Sequence, residues 1–367
     1  MSFEIDATVL ADSVSPASHR LTTLEVTFPR FVLAEFNTHR VFSRNSASSR
    51  AIPIVKQLRR VLEHPFVPLE FGSNQPGMQA GPPLTGEARA AAEREWLGAR
   101  DDAVLRVLGL VAGPEAGAGE TDLAARLDEI ERAIAAKAQP EGWLNVHKQV
   151  ANRLLEPFMW HTVIVTATEW ENFFNLRCHP DAQPEIRQAA SEMRAAIERS
   201  EPAELREDEW HLPLVRPEDR AEVDSAERLV KVSAGRCARV SYLTHAGRRD
   251  LSADVELCER LLTSGHMSPL EHPARPLSEE ELGESEWSGN FRGWLQFRKT
   301  LGGEANPLGP TQPSRYGVLP SPGGSSDSPS SSPSAAFSPG VGQGSASPLV
   351  QAGGLPPGTQ PASSRPR

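Results

Sequence analysis

Cysteine is scarce in this 367-residue sequence: Cys178, Cys237 and Cys258 are odd in number, widely spaced and form no Cys-x-x-Cys pair. They indicate neither a disulfide framework nor a zinc knuckle and suit a reducing compartment. Long apolar runs are missing too. No stretch approaches the roughly 18–20 residues that a membrane span needs, and the opening MSFEIDATVL has no basic segment followed by an apolar core. A soluble, cytoplasmic protein with no membrane partner is therefore expected. Positive charge is in deficit, with 38 Lys+Arg against 48 Asp+Glu and a net charge of −10. That argues against broad binding of nucleic acid, although a local basic pocket remains compatible with it.

Proline and glycine are abundant, at 32 and 28 residues. Residues 318–367 hold 13 Ser, 10 Pro and 8 Gly, and only Asp327, Arg365 and Arg367 carry charge there. Such a composition buries too little apolar area to offset its ordering entropy, so 318–367 reads as a disordered tail and 1–317 as the folded domain. Alternation predicts strands over 3–10 and 22–28, the second stopped by Pro29. Helical spacing over 31–40 predicts a short helix that delivers His39 and Arg40. After a Pro/Gly-rich loop at 67–85, helices at 87–110 and 122–137 form a helical insertion, about 86–138. A helix is expected at 144–155, a buried strand at 163–166, and helices at 169–177 and 182–200. Residues 201–219 read as a polar acidic linker. Beyond it we expect a strand-like start at 229, a helix from Ser252 capped by Gly265, a loop at 266–276 and a helix at 291–301. Strands and helices without a βαβ rhythm indicate an α+β fold, a mixed or antiparallel sheet with flanking helices.

The segment Thr38 to Arg50, THRVFSRNSASSR, contains three Arg, four Ser, one His and one Asn, and no acid. Arg offers bidentate contacts to an anion and Ser hydroxyls complete them; a solvated basic turn is the competing reading. The glycine spacing of a P-loop or dinucleotide fold is missing, so a bound nucleotide would be held by side chains. His266, Glu271 and His272 lie close together in GHMSPLEH, but their spacing is not that of two ligands on one helical face, and Pro269 interrupts a helix. No metal site is expected; a metal-dependent hydrolase is the weakest alternative. Arg177, beside Phe173 and Phe174, reads from spacing alone as a residue lying over a core helix.

Taken together, these segments resemble the flavin-dependent thymidylate synthases. That family carries an Arg-His-Arg, seven residues, Ser signature, and here Thr38-His39-Arg40 precedes Ser48 by seven residues, with Ser43, Asn45 and Arg50 in place. Asn172-Phe173-Phe174-Asn175-Leu176-Arg177, followed by Ala182-Gln183-Pro184-Glu185-Ile186-Arg187, is similar to a second family element. CARVSY (Cys237 to Tyr242) and GHMSPLEH (Gly265 to His272) are similar to a third. In the family the third element precedes the signature; here it follows, as in a circular permutation. Thr38 stands where the signature's first Arg is expected, Glu35 in place of a Gln and Ser46 in place of a Glu.

The resemblance implies reductive methylation of deoxyuridine monophosphate (dUMP) to dTMP. Methylenetetrahydrofolate and NADPH would be co-substrates, FAD the cofactor, and the enzyme a homotetramer. It implies that Arg177 is catalytic, stabilising the uracil N3 anion. Ser48, Arg50, Arg153 and Glu35 would bind substrate, and His39, Arg40, Asn172, Ser268 and His266 would contact FAD. The alternative is a non-catalytic flavin- or nucleotide-binding protein of the same fold.

Overall fold

The computed structural model describes residues 3–117, 122–138, 140–241, 250–284 and 290–301. They lie within one unit of the chain, Met1–Pro322. The expected tail and Tyr242 of the third element lie outside the described residues. In chain order the elements begin with β1 (Asp6–Val14), β2 (Arg20–Pro29), α1 (Leu33–Asn37), β3 (Ser43–Ser46) and α2 (Ile54–Glu63). There follow α3 (Gly86–Ala112), α4 (Leu123–Ala135), α5 (Lys148–Ala151), β4 (Trp160–Ala167), α6 (Glu171–Arg177) and α7 (Pro184–Arg199). Next come β5 (Ala203–Glu204), α8 (Pro217–Glu222), α9 (Ala226–Ala238), α10 (Leu251–Ser264), β6 (Ala274–Pro276) and β7 (Trp294–Gln296). The fold is α+β, as its sequence pattern indicates.

Five strands form the main sheet in the order β3-β4-β2-β1-β5. All neighbours are antiparallel except β1 and β5. Thr23 pairs with Thr166 and Leu24 with Val165, which fixes the two faces of the sheet because side chains alternate along a strand. One face carries Leu24, Val26, Phe28, Val163 and Val165 into a core with Phe173, Ile186, Ala189 and Met193 of α6 and α7. Fully burying one such side chain contributes roughly 1.5–3 kcal/mol. The opposite face is polar at its centre. Thr23 and Thr166 share a hydrogen bond at 2.7 Å, Thr23 shares one with His211 at 2.8 Å, and Thr166 one with His272 at 2.8 Å. His211 continues the chain to Ser13 at 2.9 Å. Burial holds both imidazoles down at about 3, so they are neutral at pH 7.

A second core joins α2, α3, α4 and the 3-10 turn at Asn152–Phe158. A third lies around α9 and α10. Asp122 caps α4, and Gly265 closes α10 in the left-handed region at φ 73°.

Four expectations fail for identifiable reasons. The helix at 144–155 shrinks to α5 and the 3-10 turn, because the backbone N–H groups of Asn145 and Val146 bond the last carbonyls of α3, and Asn145 has φ 47°. The acidic linker at 201–219 is packed instead: β5 pairs with β1, while His211 and Asp219 are buried. The strand-like start at 229 is helix α9, whose Gly235 lies so close to α10 that an added Cβ would meet the Asp254 carbonyl oxygen at 2.1 Å. The helix at 291–301 is strand β7, paired with β6, plus a 3-10 turn. Among the described residues no helix is long and apolar enough to cross a membrane.

Candidate active site

Edge strand β3 organises the site, because the segment 35–50 runs from α1 through β3 to the turn before α2. Pro29 ends β2, and the chain then winds one 3-10 turn into α1. Phe36 is inserted against Phe28, Phe42 and Phe173. That anchor sets Glu35, Thr38 and His39 beside the end of α6.

There the guanidinium of Arg177 is held by neutral acceptors. Nε donates to His39 Nε2 at 2.9 Å, while Nη2 donates to Thr38 Oγ1 at 3.1 Å and to the Glu35 carbonyl at 3.3 Å. Nη1 has no hydrogen bond among the described residues. His39 is 9% exposed and packs edge-on to Phe173 at 4.8 Å. Its pKa falls to about 4, first through burial and then through the nearby charges of Arg177 and Arg44. The ring is therefore neutral at pH 7. With Nε2 accepting from Arg177, the proton resides on Nδ1, which faces no hydrogen-bond acceptor among the described residues.

At β3, Asn45 Nδ2 donates to the Cys237 carbonyl at 2.7 Å, and Ser268 Oγ donates to Asn45 Oδ1 at 3.1 Å. Ser43 Oγ accepts from Asn290 at 3.2 Å and from Gln296 at 3.0 Å. The third sequence element is thus docked on the signature despite its displaced position in the chain. Farther along, buried Asn152 donates to the carbonyls of Ser49 and Ile52 at 2.8 and 3.1 Å. Glu156 accepts from Ser49 and pairs with Arg153 and Arg30. These ties bring the backbone at 48–50 beside the turn that carries Arg153.

The structure thus gathers Arg177, His39 and Glu35 at one corner, with Ser268 at the β3 edge and the backbone of Ser48 and Arg50 beside the turn of Arg153. Arg40, Arg50, Asn172 and His266 are exposed. Arg40 and Arg50 form no ion pair among the described residues, and the 38–50 segment has no acid. Cations, hydroxyls and a neutral imidazole donor are a donor set that fits the phosphates and heterocycle edges of a flavin dinucleotide.

His266, Glu271 and His272 do not converge: His266 is exposed, Glu271 pairs with Arg298, and His272 is buried against Thr166. Among the described residues, no cluster of three or more His, Cys, Asp or Glu has metal-binding geometry. The spacing of residues did not reveal Asn152, Gln296, or the Thr23–Thr166 pair with its two histidines. Their only sequence signal is a polar residue inside an apolar stretch, as with Asn152 before Leu154 and Leu155. A separate cavity of about 650 Å³, lined by Phe31, Glu70, Met78, Trp96 and Arg187, contains none of the expected site residues.

The sequence model for thymidylate synthase complementing protein matches residues 5–203. The chain belongs to that family. It is the family of flavin-dependent thymidylate synthases, and membership supports a thymidylate-synthase-like methyl transfer by this member. The match runs from β1 to the first residue of β5, including the Arg177 and Arg153 corners but not the third element at Ser268. No curated protein matches the chain. Among solved structures, the UMP/dUMP methylase PolB from Streptomyces cacaoi bound with 5-Br UMP is similar at 15% identity. The similarity covers 53% of this chain and 88% of that one, with a TM-score of 0.35. The same methylase bound with 5-Br dUMP gives 14% identity, 53% and 90% coverage, and a TM-score of 0.34.

Proposed function

We propose that this family member methylates C5 of dUMP, taking the one-carbon unit from methylenetetrahydrofolate with NADPH as reductant, and that Arg177 is its catalytic residue. The observation that carries the reading is the Arg177 guanidinium, bonded among the described residues to an imidazole, a hydroxyl and a carbonyl. Among the described residues no carboxylate oxygen hydrogen-bonds it, and Nη1 remains available to a ligand. Placed against uracil, such a preorganised cation favours the N3 anion and the electron-rich C5 that methylation requires. Neutral His39 fixes the guanidinium plane without competing for the substrate's negative charge.

Ser48, Arg50 and Arg153 hold the nucleotide phosphate in this reading. His39 Nδ1–H, Arg40, Asn172, Ser268 and His266 hold FAD, which when bound carries reducing equivalents from NADPH to the transferred carbon. The catalytic domain is 1–317, with 86–138 as a helical insertion, and it acts in the cytoplasm as a homotetramer.

The test is Arg177→Ala in the FAD-loaded protein, with loss of label from C5-tritiated dUMP as the readout. Turnover is expected to fall by roughly 10²–10³-fold or more while the flavin spectrum is retained. Full turnover by the variant overturns the assignment. Flavin binding by the wild type with no turnover would instead favour a non-catalytic flavin-binding protein.

A further inference from the structure

Arg44 is a cation that the reading above does not put to use. It lies on β3 opposite Val165, and Ser46 lies opposite Val163. Directly paired residues share a face of the sheet, so Arg44 stands on the face that α6 and α7 cover, the side on which α6 ends in Arg177. Asn45, between them, points the other way and is tied to Ser268. The Arg44 side chain is half-buried. Among the described residues its hydrogen bonding is one long contact, Nη1 donating to the Phe36 carbonyl at 3.4 Å. Burial lowers its pKa, and the charge of Glu271 offsets only part of that; the Glu271 carboxylate is itself bonded to Arg298. Nε and Nη2 have no bond among the described residues, and neither is sealed from solvent. These two nitrogens share one edge of the guanidinium, so an edge suited to bidentate contact is open. A partly desolvated cation without a bonded counter-charge is costly, and it is kept where a ligand supplies the anion.

We infer that Arg44 binds the diphosphate of FAD and so holds the dinucleotide along β3. The inference rests on the flavin reading above and adds a residue that the motif comparison does not name. The residues given to FAD in that reading flank Arg44: His39 and Arg40 precede it, and Ser268 is bonded to its neighbour Asn45. His39 also feels the charge of Arg44. In that reading the dUMP phosphate lies with Ser48, Arg50 and Arg153, and the uracil faces Arg177. The ligand that passes Arg44 is then the dinucleotide, whose anionic part when oxidised is its diphosphate. Two oxygens of one phosphate match the Nε and Nη2 edge. Thr38 stands where the signature has its first Arg, so Arg44 also returns a cation to the segment.

The experiment is fluorescence titration of the flavin-free full chain with FAD and with riboflavin, which has the ring system and no phosphate. In Arg44→Met, FAD is expected to bind roughly tenfold or more weaker, the size of a hydrogen bond to a charged group, while riboflavin binds as it does to the wild type. The salt dependence of FAD binding should become shallower in the same variant. Arg44→Lys keeps the charge without the fork and is expected to lose less FAD affinity than the Met variant, so the result stands even if the Met variant fails to fold. Calorimetric titration of the FAD-loaded variants with dUMP should match the wild type. Equal losses for FAD and riboflavin, or no loss of FAD affinity with an unchanged salt dependence, overturn the inference and leave the flavin reading intact. A loss confined to dUMP also overturns it, since the anion at Arg44 would then be the substrate's. A wild type that binds neither flavin removes the flavin reading and this inference with it.

Discussion

Arg236 and Arg177 are both helix residues near a functional motif, yet their surroundings differ in kind. Arg236 on α9 donates Nε to Asp254 at 2.8 Å and Nη1 to the Leu214 carbonyl at 2.7 Å, while Nη1 and Nη2 both reach Asp219. Arg239 adds a second cation on Asp254 at 2.7 Å. The two carboxylates are buried and the cations that face them are largely covered. At Arg177 there is no carboxylate at all among the hydrogen-bond partners. A guanidinium whose charge is answered inside the chain fixes architecture; one answered only by neutral dipoles remains free to act on something else.

Breaking the closed centre should produce the largest effect on stability. Asp219→Ala leaves Arg236 buried with half its partners gone, and a loss of about 3–5 kcal/mol is expected, read from denaturant unfolding. Arg177→Ala removes hydrogen bonds to neutral partners at a half-buried position, so about 1–2 kcal/mol is expected in the same assay. Equal losses in the two variants would erase the distinction drawn here.

The smallest effect sharpens the open centre from the other partner's side. His39 titrates at about 4 in the fold, against about 6.5 for a free imidazole. Because the folded value is depressed, its contribution to stability is full above pH 6.5 and is lost as the pH falls toward 4. Without Arg177 one of the two depressing cations is gone, so the His39 titration should move upward and this acid sensitivity should shrink. Ring-carbon NMR of the variant measures it; an unmoved titration would mean that burial and Arg44, not Arg177, set the value.

How far the sequence discloses this molecule depends on the kind of signal. Strands β2 and β4 are legible because their β-branched and apolar residues alternate or run together and are buried where they stand, and β1 because its apolar residues alternate loosely although most are only half-buried. α7 is legible because Ile186, Ala189 and Met193 recur on one face. β7 and α9 are not, since Trp294–Gln296 becomes a strand only by pairing with Ala274–Pro276, and the Leu229–Val232 stretch becomes helix by packing on α10. Tertiary contacts decide such short segments. At the site, the residues carried by the motif comparison are placed together at Arg177 and His39, with the backbone at 48–50 beside the turn of Arg153. The neutral character of the Arg177 cradle was not legible, because it depends on which atom of Glu35 the guanidinium meets.

The bonds from Gln296 and Asn290 to Ser43 have a consequence in time. They join residues 253 and 247 positions apart. During synthesis β3 leaves the ribosome early and can pair with β4 once residue 167 has emerged. Its serine then waits for about two fifths of the described chain to be made before it is bonded. At about 5–20 residues per second that delay is on the order of ten seconds, during which the edge of the sheet is open. A truncation before residue 290 should therefore leave a nascent chain with its main sheet formed and its β3 edge unfinished, a state suited to recognition by chaperones.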